Sequence, residues 1–219
     1  MNGVVELRQY TLKPGRRDVL IDLFEREFVE SQEAEGMDII GTFRDAGDPD
    51  RFVWLRGFPD MDARARSLAG FYGGPVWKRH RDAANATMID SDDVLLLRPA
   101  WEGAGFPSGG TRAPVRAMAP AGGCLLGTVH YLDGPVREDF IAAFREAIPA
   151  SAISACFVTE ASPNSFPALP VREGENVLVW FADADTAPPL PVGLERRLSR
   201  PVDVLRLLPT ARSRLNSAG

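Results

Sequence analysis

Cysteine, histidine and lysine are all scarce in this sequence. Of its 219 residues only Cys124 and Cys156 are cysteine, and only His80 and His130 are histidine. Lysine occurs at positions 13 and 78 alone, so nearly every basic residue is arginine. Two cysteines make no disulfide scaffold, their spacing fits no zinc pattern, and two small buried hydrophobes are the plainer reading. The two distant histidines form no recognisable metal triad, and H-E-x-x-H is absent. Excess charge of one sign is also missing: the formal net charge is -5, which offers no basic footprint for nucleic acid. No apolar run reaches the roughly 18 residues that a membrane-spanning helix needs. The opening Met1–Leu7 lacks a basic segment followed by a long apolar stretch, so it reads as a first strand and not as a signal peptide. The expectation is a cytoplasmic chain with neither nucleic acid nor membrane as partner. A G-x-G-x-x-G, a P-loop and a nucleophile elbow are absent as well, which removes the usual nucleotide cradle and the serine-hydrolase signature.

Hydrophobic residues make up 45% and charged residues 25%, an ordinary globular balance. The length suits two domains of about 100 residues each. The arginine bias, with abundant alanine, glycine and proline, fits the usage of a high-GC bacterium better than an arginine-specific function. The 20 glycines and 18 prolines thicken between Pro99 and Gly123, where neither a helical nor a strand period survives. The chain therefore divides into a first domain (1–99), a Pro/Gly-rich linker (100–123), a second domain (124–210) and a tail (211–219).

Within the first domain Val4–Leu12 reads as a strand, and Pro14-Gly15 as a turn. From Arg16 to about Ala34, Val19, Leu20, Leu23, Phe24 and Phe28 recur at helical spacing, and Gly36 stops that helix. Strands follow at Asp38–Arg44 and Arg51–Phe58, joined by Gly47-Asp48-Pro49-Asp50. Asp60 or Asp62 caps a helix to about Phe71. Pro75 opens another helix to about Met88, and Asp93–Arg98 is a last strand. The acidic run Asp90–Asp93 reads as a solvated turn before that strand, not as a calcium loop. The order β-α-β-β-α-β is that of a ferredoxin-like unit.

The second domain repeats the first. Tyr10, Pro14, Arg16, Asp18 and Glu25 match Tyr131, Pro135, Arg137, Asp139 and Glu146 at one offset, and Trp54 matches Trp180. Asp93–Pro99 matches Asp203–Pro209 at a smaller offset, because Ala187-Pro188-Pro189-Leu190-Pro191 replaces the long second helix and only Val192–Ser199 is left to be helical. The sheet of such a unit has one face uncovered by helices. Two units packed sheet to sheet bury both faces and close a barrel. The fold class expected is α+β: tandem ferredoxin-like βαββαβ repeats forming a barrel-type pseudo-dimer within one chain. Pairing between chains is the alternative, and a further homodimer is compatible with either.

Three stretches resemble the NIPSNAP family: Glu6-Leu7-Arg8-Gln9-Tyr10-Thr11-Leu12-Lys13-Pro14-Gly15, Phe71-Tyr72-Gly73-Gly74-Pro75-Val76-Trp77-Lys78, and Leu95-Leu96-Leu97-Arg98-Pro99. The resemblance covers about residues 3–100 well and 124–210 weakly. It implies the dimeric α+β barrel superfamily, which includes cofactor-free monooxygenases, haem-using enzymes and haem-degrading enzymes. It implies the fold more firmly than a reaction.

His80 lies three residues from Trp77 on a predicted helix, inside the basic cluster Lys78, Arg79 and Arg81. In an oxygenase of the implied kind, His80 is the general base. Arg8 or Arg81 stabilises the oxyanion, and Trp77 and Tyr72 are apolar walls. A plainly basic surface helix anchored by Trp77 is the alternative. On the first strand Glu6, Arg8 and Tyr10 share one face, opposite Leu7, Gln9 and Thr11. That face is unusually polar. It is either a polar seam between the two sheets or the wall of a ligand pocket, to which Trp54 is added as a further binding residue. Arg44, Arg56 and Asp45 extend that wall or solvate strand ends. His130 and its neighbour Tyr131 face opposite sides of their strand. The readings that result are a small-molecule enzyme without a cofactor, a non-catalytic binding or scaffold protein, and a haem protein with His80 or His130 as axial ligand.

Overall fold

The computed structural model describes residues 2–118, 123–183 and 192–215. Its elements run β1 (Val4–Leu12), α1 (Arg17–Leu23), a π-helical turn (Phe24–Phe28), α2 (Val29–Ala34), β2 (Asp38–Asp45), β3 (Arg51–Phe58), α3 (Met61–Gly73), α4 (Pro75–Asn85) and β4 (Met88–Pro99). After the connecting segment come β5 (Leu125–Tyr131), α5 (Glu138–Ala147), a 3-10 turn (Ala150–Ala152), β6 (Ala155–Thr159), β7 (Val177–Asp183), α6 (Val192–Glu195) and β8 (Asp203–Pro209). The proline-rich stretch 187–191 lies outside the described residues.

The eight strands close a barrel in the order β1-β3-β2-β8-β5-β7-β6-β4, and every pairing is antiparallel. The N-terminal strands lie β4-β1-β3-β2 and the C-terminal strands β8-β5-β7-β6. Two short seams join them: Phe43–Asp45 of β2 against Leu207–Pro209, and Leu97–Pro99 of β4 against Phe157–Thr159. Side chains alternate across each strand, so every strand feeds two cores. Val5, Leu7, Phe43, Leu55, Tyr131, Phe157, Phe181 and Leu207 fill the lumen. Tyr10, Phe52, Trp54 and Leu96 pack outward under α1–α4, and Trp180, Cys156 and Val158 pack under α5. Gly41 is needed in the lumen: a Cβ there would sit 2.6 Å from the Phe43 ring. Among the described residues no helix is long and apolar enough to cross a membrane.

Three local expectations are corrected. The first helix contains a π turn, in which the Val29 N–H donates to the Phe24 carbonyl five residues back. The helix opened by Pro75 ends at Asn85, three residues early, where the Thr87 hydroxyl takes up the Ala84 carbonyl at 2.6 Å. The acidic run 90–93 is no turn, because β4 begins at Met88 and passes through it. Gln9 pairs with Asp93 and Thr11 with Asp90, so Ser91 and Asp92 together face Tyr10 in a β-bulge. Two other predictions hold: Gly36 takes a φ of +87° just past the helix end, and Asp60 caps α3 by accepting from the Ala63 N–H.

The connecting segment docks against the barrel. Phe106 enters the lumen between Phe157 and Phe181, with ring centroids 5.9 and 5.1 Å away. Beyond β8 the chain runs back along β2. The Thr42 and Thr210 hydroxyls lie 2.6 Å apart, Arg212 pairs with Glu30, and Arg214 pairs with Glu33 and Asp38.

Candidate functional site

Strand alternation places Glu6, Arg8 and Tyr10 on the outer face of β1, beneath the helices. The register sets Glu6 opposite Arg56 and Arg8 opposite Trp54 on β3, so those two side chains share the face. The polar side of β1 is therefore not a seam between the two sheets. Leu7, Val5 and Leu55 occupy the lumen, and the charged residues lie between sheet and helices.

At the centre is one carboxylate. Glu6 Oε2 accepts from Arg8 Nη1 and from Arg56 Nε, each at 2.7 Å, and Oε1 accepts from Arg64 Nε at 2.6 Å. All four side chains are wholly buried. Burial opposes the Glu6 charge, but Arg56, Arg8 and Arg64 together outweigh it and hold the carboxyl far below the usual carboxylate range. Three guanidinium groups against one carboxylate leave a net charge of +2.

Each arginine is held by a second, neutral partner. Arg8 Nε donates to the Tyr10 hydroxyl at 3.1 Å. Arg56 Nη1 donates to Gln32 Oε1 at 2.9 Å, and Gln32 Nε2 donates to the Phe28 carbonyl at the end of the π turn. Arg64 Nη1 donates to Asn164 Oδ1 at 2.9 Å and to Ser165 Oγ at 3.1 Å. The last two residues belong to the β6–β7 loop, so the C-terminal half reaches over the N-terminal one. Phe166 of the same loop stacks on Tyr72 at 5.9 Å.

Above the cluster is an aromatic enclosure. Tyr10, Phe24, Phe28, Trp54, Tyr72 and Trp77 are among the residues lining a cavity of about 30 Å³, room for about one water molecule. The Trp54 ring carries Arg8 at 5.4 Å and Arg56 at 5.0 Å from its centroid, a cation–π arrangement on both. Burial raises the Tyr10 pKa against the opposing Arg8 charge, so its phenol stays protonated at neutral pH.

Of the residues picked from sequence, Glu6, Arg8, Tyr10, Trp54, Tyr72 and Trp77 gather here. His80 and Arg81 do not. His80 stands at the rim, its Nε2 3.6 Å from Glu27 Oε2 and its ring 6.3 Å from Phe28. Arg81 is exposed beside Asp82. Arg56 joins the wall, whereas Arg44 pairs with Asp18 and Asp45 with Arg51 at the hairpin end. Arg64, Gln32, Asn164 and Ser165 were not anticipated.

His130 has a different role from the one a haem ligand needs. Trp180 Nε1 donates to its Nε2 at 3.0 Å, and Nδ1 is buried without a partner. Burial pushes its pKa down to about 4, so the ring is neutral with its proton on Nδ1 and offers no lone pair to an iron. Among the described residues no three metal-ligating side chains cluster. The low pKa has a consequence for stability. The unfolded chain protonates this histidine below about pH 6.5 while the folded chain resists until about pH 4. The stabilisation is complete above pH 6.5 and is lost as pH falls through that window, by up to roughly 3 kcal/mol. Urea denaturation between pH 7 and pH 4.5 is expected to show the fall. His130→Gln, which keeps an acceptor for Trp180 but does not titrate, is expected to flatten it.

A NIPSNAP family model matches residues 5–101. No curated protein matches the chain. Among solved structures, a NIPSNAP-like domain protein from Burkholderia xenovorans is 28% identical over 48% of this chain and 91% of its own, with a TM-score of 0.44. A NIPSNAP family protein from Agrobacterium tumefaciens is 20% identical over 44% of this chain and 92% of its own, with a TM-score of 0.42. A candidate monooxygenase from Lactobacillus acidophilus matches along 97% of both chains at 13% identity, with a TM-score of 0.54. This last likeness shows a shared fold along both halves of the barrel. Glu6 and its three arginines, with the aromatic walls above them, fall inside the span 5–101, the part of the chain that is similar to the NIPSNAP family.

Proposed function

We propose that this protein binds a small organic molecule between the sheet and helices of its N-terminal half. The observation that carries the reading is an aromatic-lined cavity whose Tyr10, Gln32 and Trp54 also contact a buried, net-positive arginine cluster. Such a combination of apolar walls and a few fixed polar groups is the usual make-up of a ligand site. The cavity of about 30 Å³ is a closed state. A ligand of more than a few atoms requires the β6–β7 loop, or rings such as Tyr72 and Phe166, to move aside.

The geometry supports binding better than proton abstraction. His80 lies outside the enclosure, and the Glu6 carboxylate is too strongly held by arginines to be a useful base. Oxygenation without a cofactor would suit this site for a substrate that arrives already as its anion, and the structural neighbour that matches along both halves is itself a candidate monooxygenase. We read the two halves as copies of one ferredoxin-like unit packed as an intrachain pseudo-dimer, supported by their equivalent strand orders. On this view the second copy closes the barrel and lends the first its covering loop. A cytoplasmic location and the absence of a nucleic-acid partner belong to the same proposal, as does room for a further homodimer.

Ligand-observed NMR against a mixture of small aromatic compounds, repeated with Trp77→Ala to widen the cavity, tests the reading. Saturable binding at one site per chain, with transfer from Tyr10 and Trp54 protons, is expected. No binder for either protein would remove it.

A further inference from the structure

We propose that the ligand of this site is an organic carboxylate, whose anionic end is received by Arg8, Arg56, Arg64 and the indole N–H of Trp54, and whose apolar body lies in the aromatic cavity. This rests on the small-molecule reading above and names its ligand class.

Each of the three arginines keeps a buried nitrogen that has no hydrogen-bond partner: Arg8 Nη2, Arg56 Nη2 and Arg64 Nη2. Trp54 Nε1 is a fourth. The guanidinium groups that carry these donors meet at one point, because each is tied through another nitrogen to the same Glu6 carboxylate, and two of them lie on the Trp54 ring. The cavity touches the residues that fix them. Tyr10 holds Arg8, Gln32 holds Arg56, and both line it together with Trp54.

The chemistry selects an anion. A buried donor left unpaired costs about 1–3 kcal/mol, and more when charged. A buried charge without a counter-charge costs several kcal/mol. Water satisfies the donors but leaves the net charge of +2 in place. Among the described residues the other groups bonded to these arginines are Tyr10, Gln32, Met37, Asn164 and Ser165, all neutral. An incoming carboxylate supplies acceptors and halves the net charge from +2 to +1, and its planar fork suits guanidinium groups. The apolar rings beside it favour a carboxylate on an aromatic or otherwise apolar body over a free inorganic anion.

The test uses two matched pairs in chloride-free buffer, formate against formamide and benzoate against benzamide, followed by NMR of the 15N-labelled arginine side chains. Formate and benzoate are expected to shift the buried arginine signals saturably, with benzoate binding about tenfold or more tighter than benzamide. Arg64→Gln is expected to reduce that preference. Glu6→Gln, which raises the site's charge, is expected to strengthen benzoate binding, a change that a merely structural ion cluster does not produce. Equal binding of benzoate and benzamide overturns the carboxylate assignment and spares the pocket. Formate binding without any gain for benzoate supports the anion end and overturns the apolar one. Arginine signals that neither anion moves overturn both. The unmodified protein decides these outcomes even where a variant fails to fold.

Discussion

Replacing Glu6 by leucine is expected to destabilise the fold by about 3–5 kcal/mol. The substitution removes one buried carboxylate and strands three buried guanidinium groups, which no other acid contacts among the described residues. Against a total stability of about 5–15 kcal/mol, that loss moves a marginal domain toward partial unfolding, and a urea titration would show it as a reduced midpoint. A companion variant separates two meanings of the cluster. Converting Glu6 to leucine together with Arg8, Arg56 and Arg64 to methionine removes every charge at once. Well-packed apolar replacements of buried ion clusters are often neutral or stabilising, so most of the stability is expected to return. A cluster that can be removed whole at little cost, yet not dismantled singly, is better explained by what it binds than by what it holds together.

Much of this site was written into β1 in period two. Glu6, Arg8 and Tyr10 at alternate positions declare a shared face, and the structure keeps them together. Alternation does not say which face it is. β1 is buried on both sides, and only the closure of the barrel assigns Leu7 to the lumen and Glu6 to the helices. Arg64 is legible in the pattern of its helix. It stands three, four and seven residues before Ser67, Leu68 and Phe71, all buried on the inner stripe of α3, so an arginine on that stripe had to point inward. Gln32 was harder to place, because the π turn shifts the helical phase just before it. Asn164 and Ser165 carry no local signal. Their place over Arg64 depends on the second half closing the barrel, a long-range fact that no window of residues contains. For His80, chemical suitability does not decide position. The helical spacing to Trp77 was right, yet the histidine meets Glu27 at the rim and not the cavity.

Trp54→Ala is expected to cost about 3–5 kcal/mol, the usual range for emptying a buried tryptophan site, and Trp180→Ala about as much. Both side chains are almost fully buried, each the fourth residue of its strand. Their phenylalanine variants are expected to part company. Trp180→Phe removes the N–H donated to His130 Nε2, a net loss of about 1 kcal/mol beyond the change in shape. It also frees the histidine to protonate more readily in the folded state, which brings its folded pKa nearer the unfolded value and flattens the fall in stability below pH 6.5. Trp54→Phe removes an N–H that has no partner, while a ring remains beneath Arg8 and Arg56. Its cost is expected to be the smaller, with no new pH dependence. Urea denaturation of the four variants at pH 7 and pH 5 makes the comparison. Equal costs for the two phenylalanine variants would mean that the Trp54 N–H is engaged in the free protein after all, and that the arginine cluster is already satisfied before any ligand arrives.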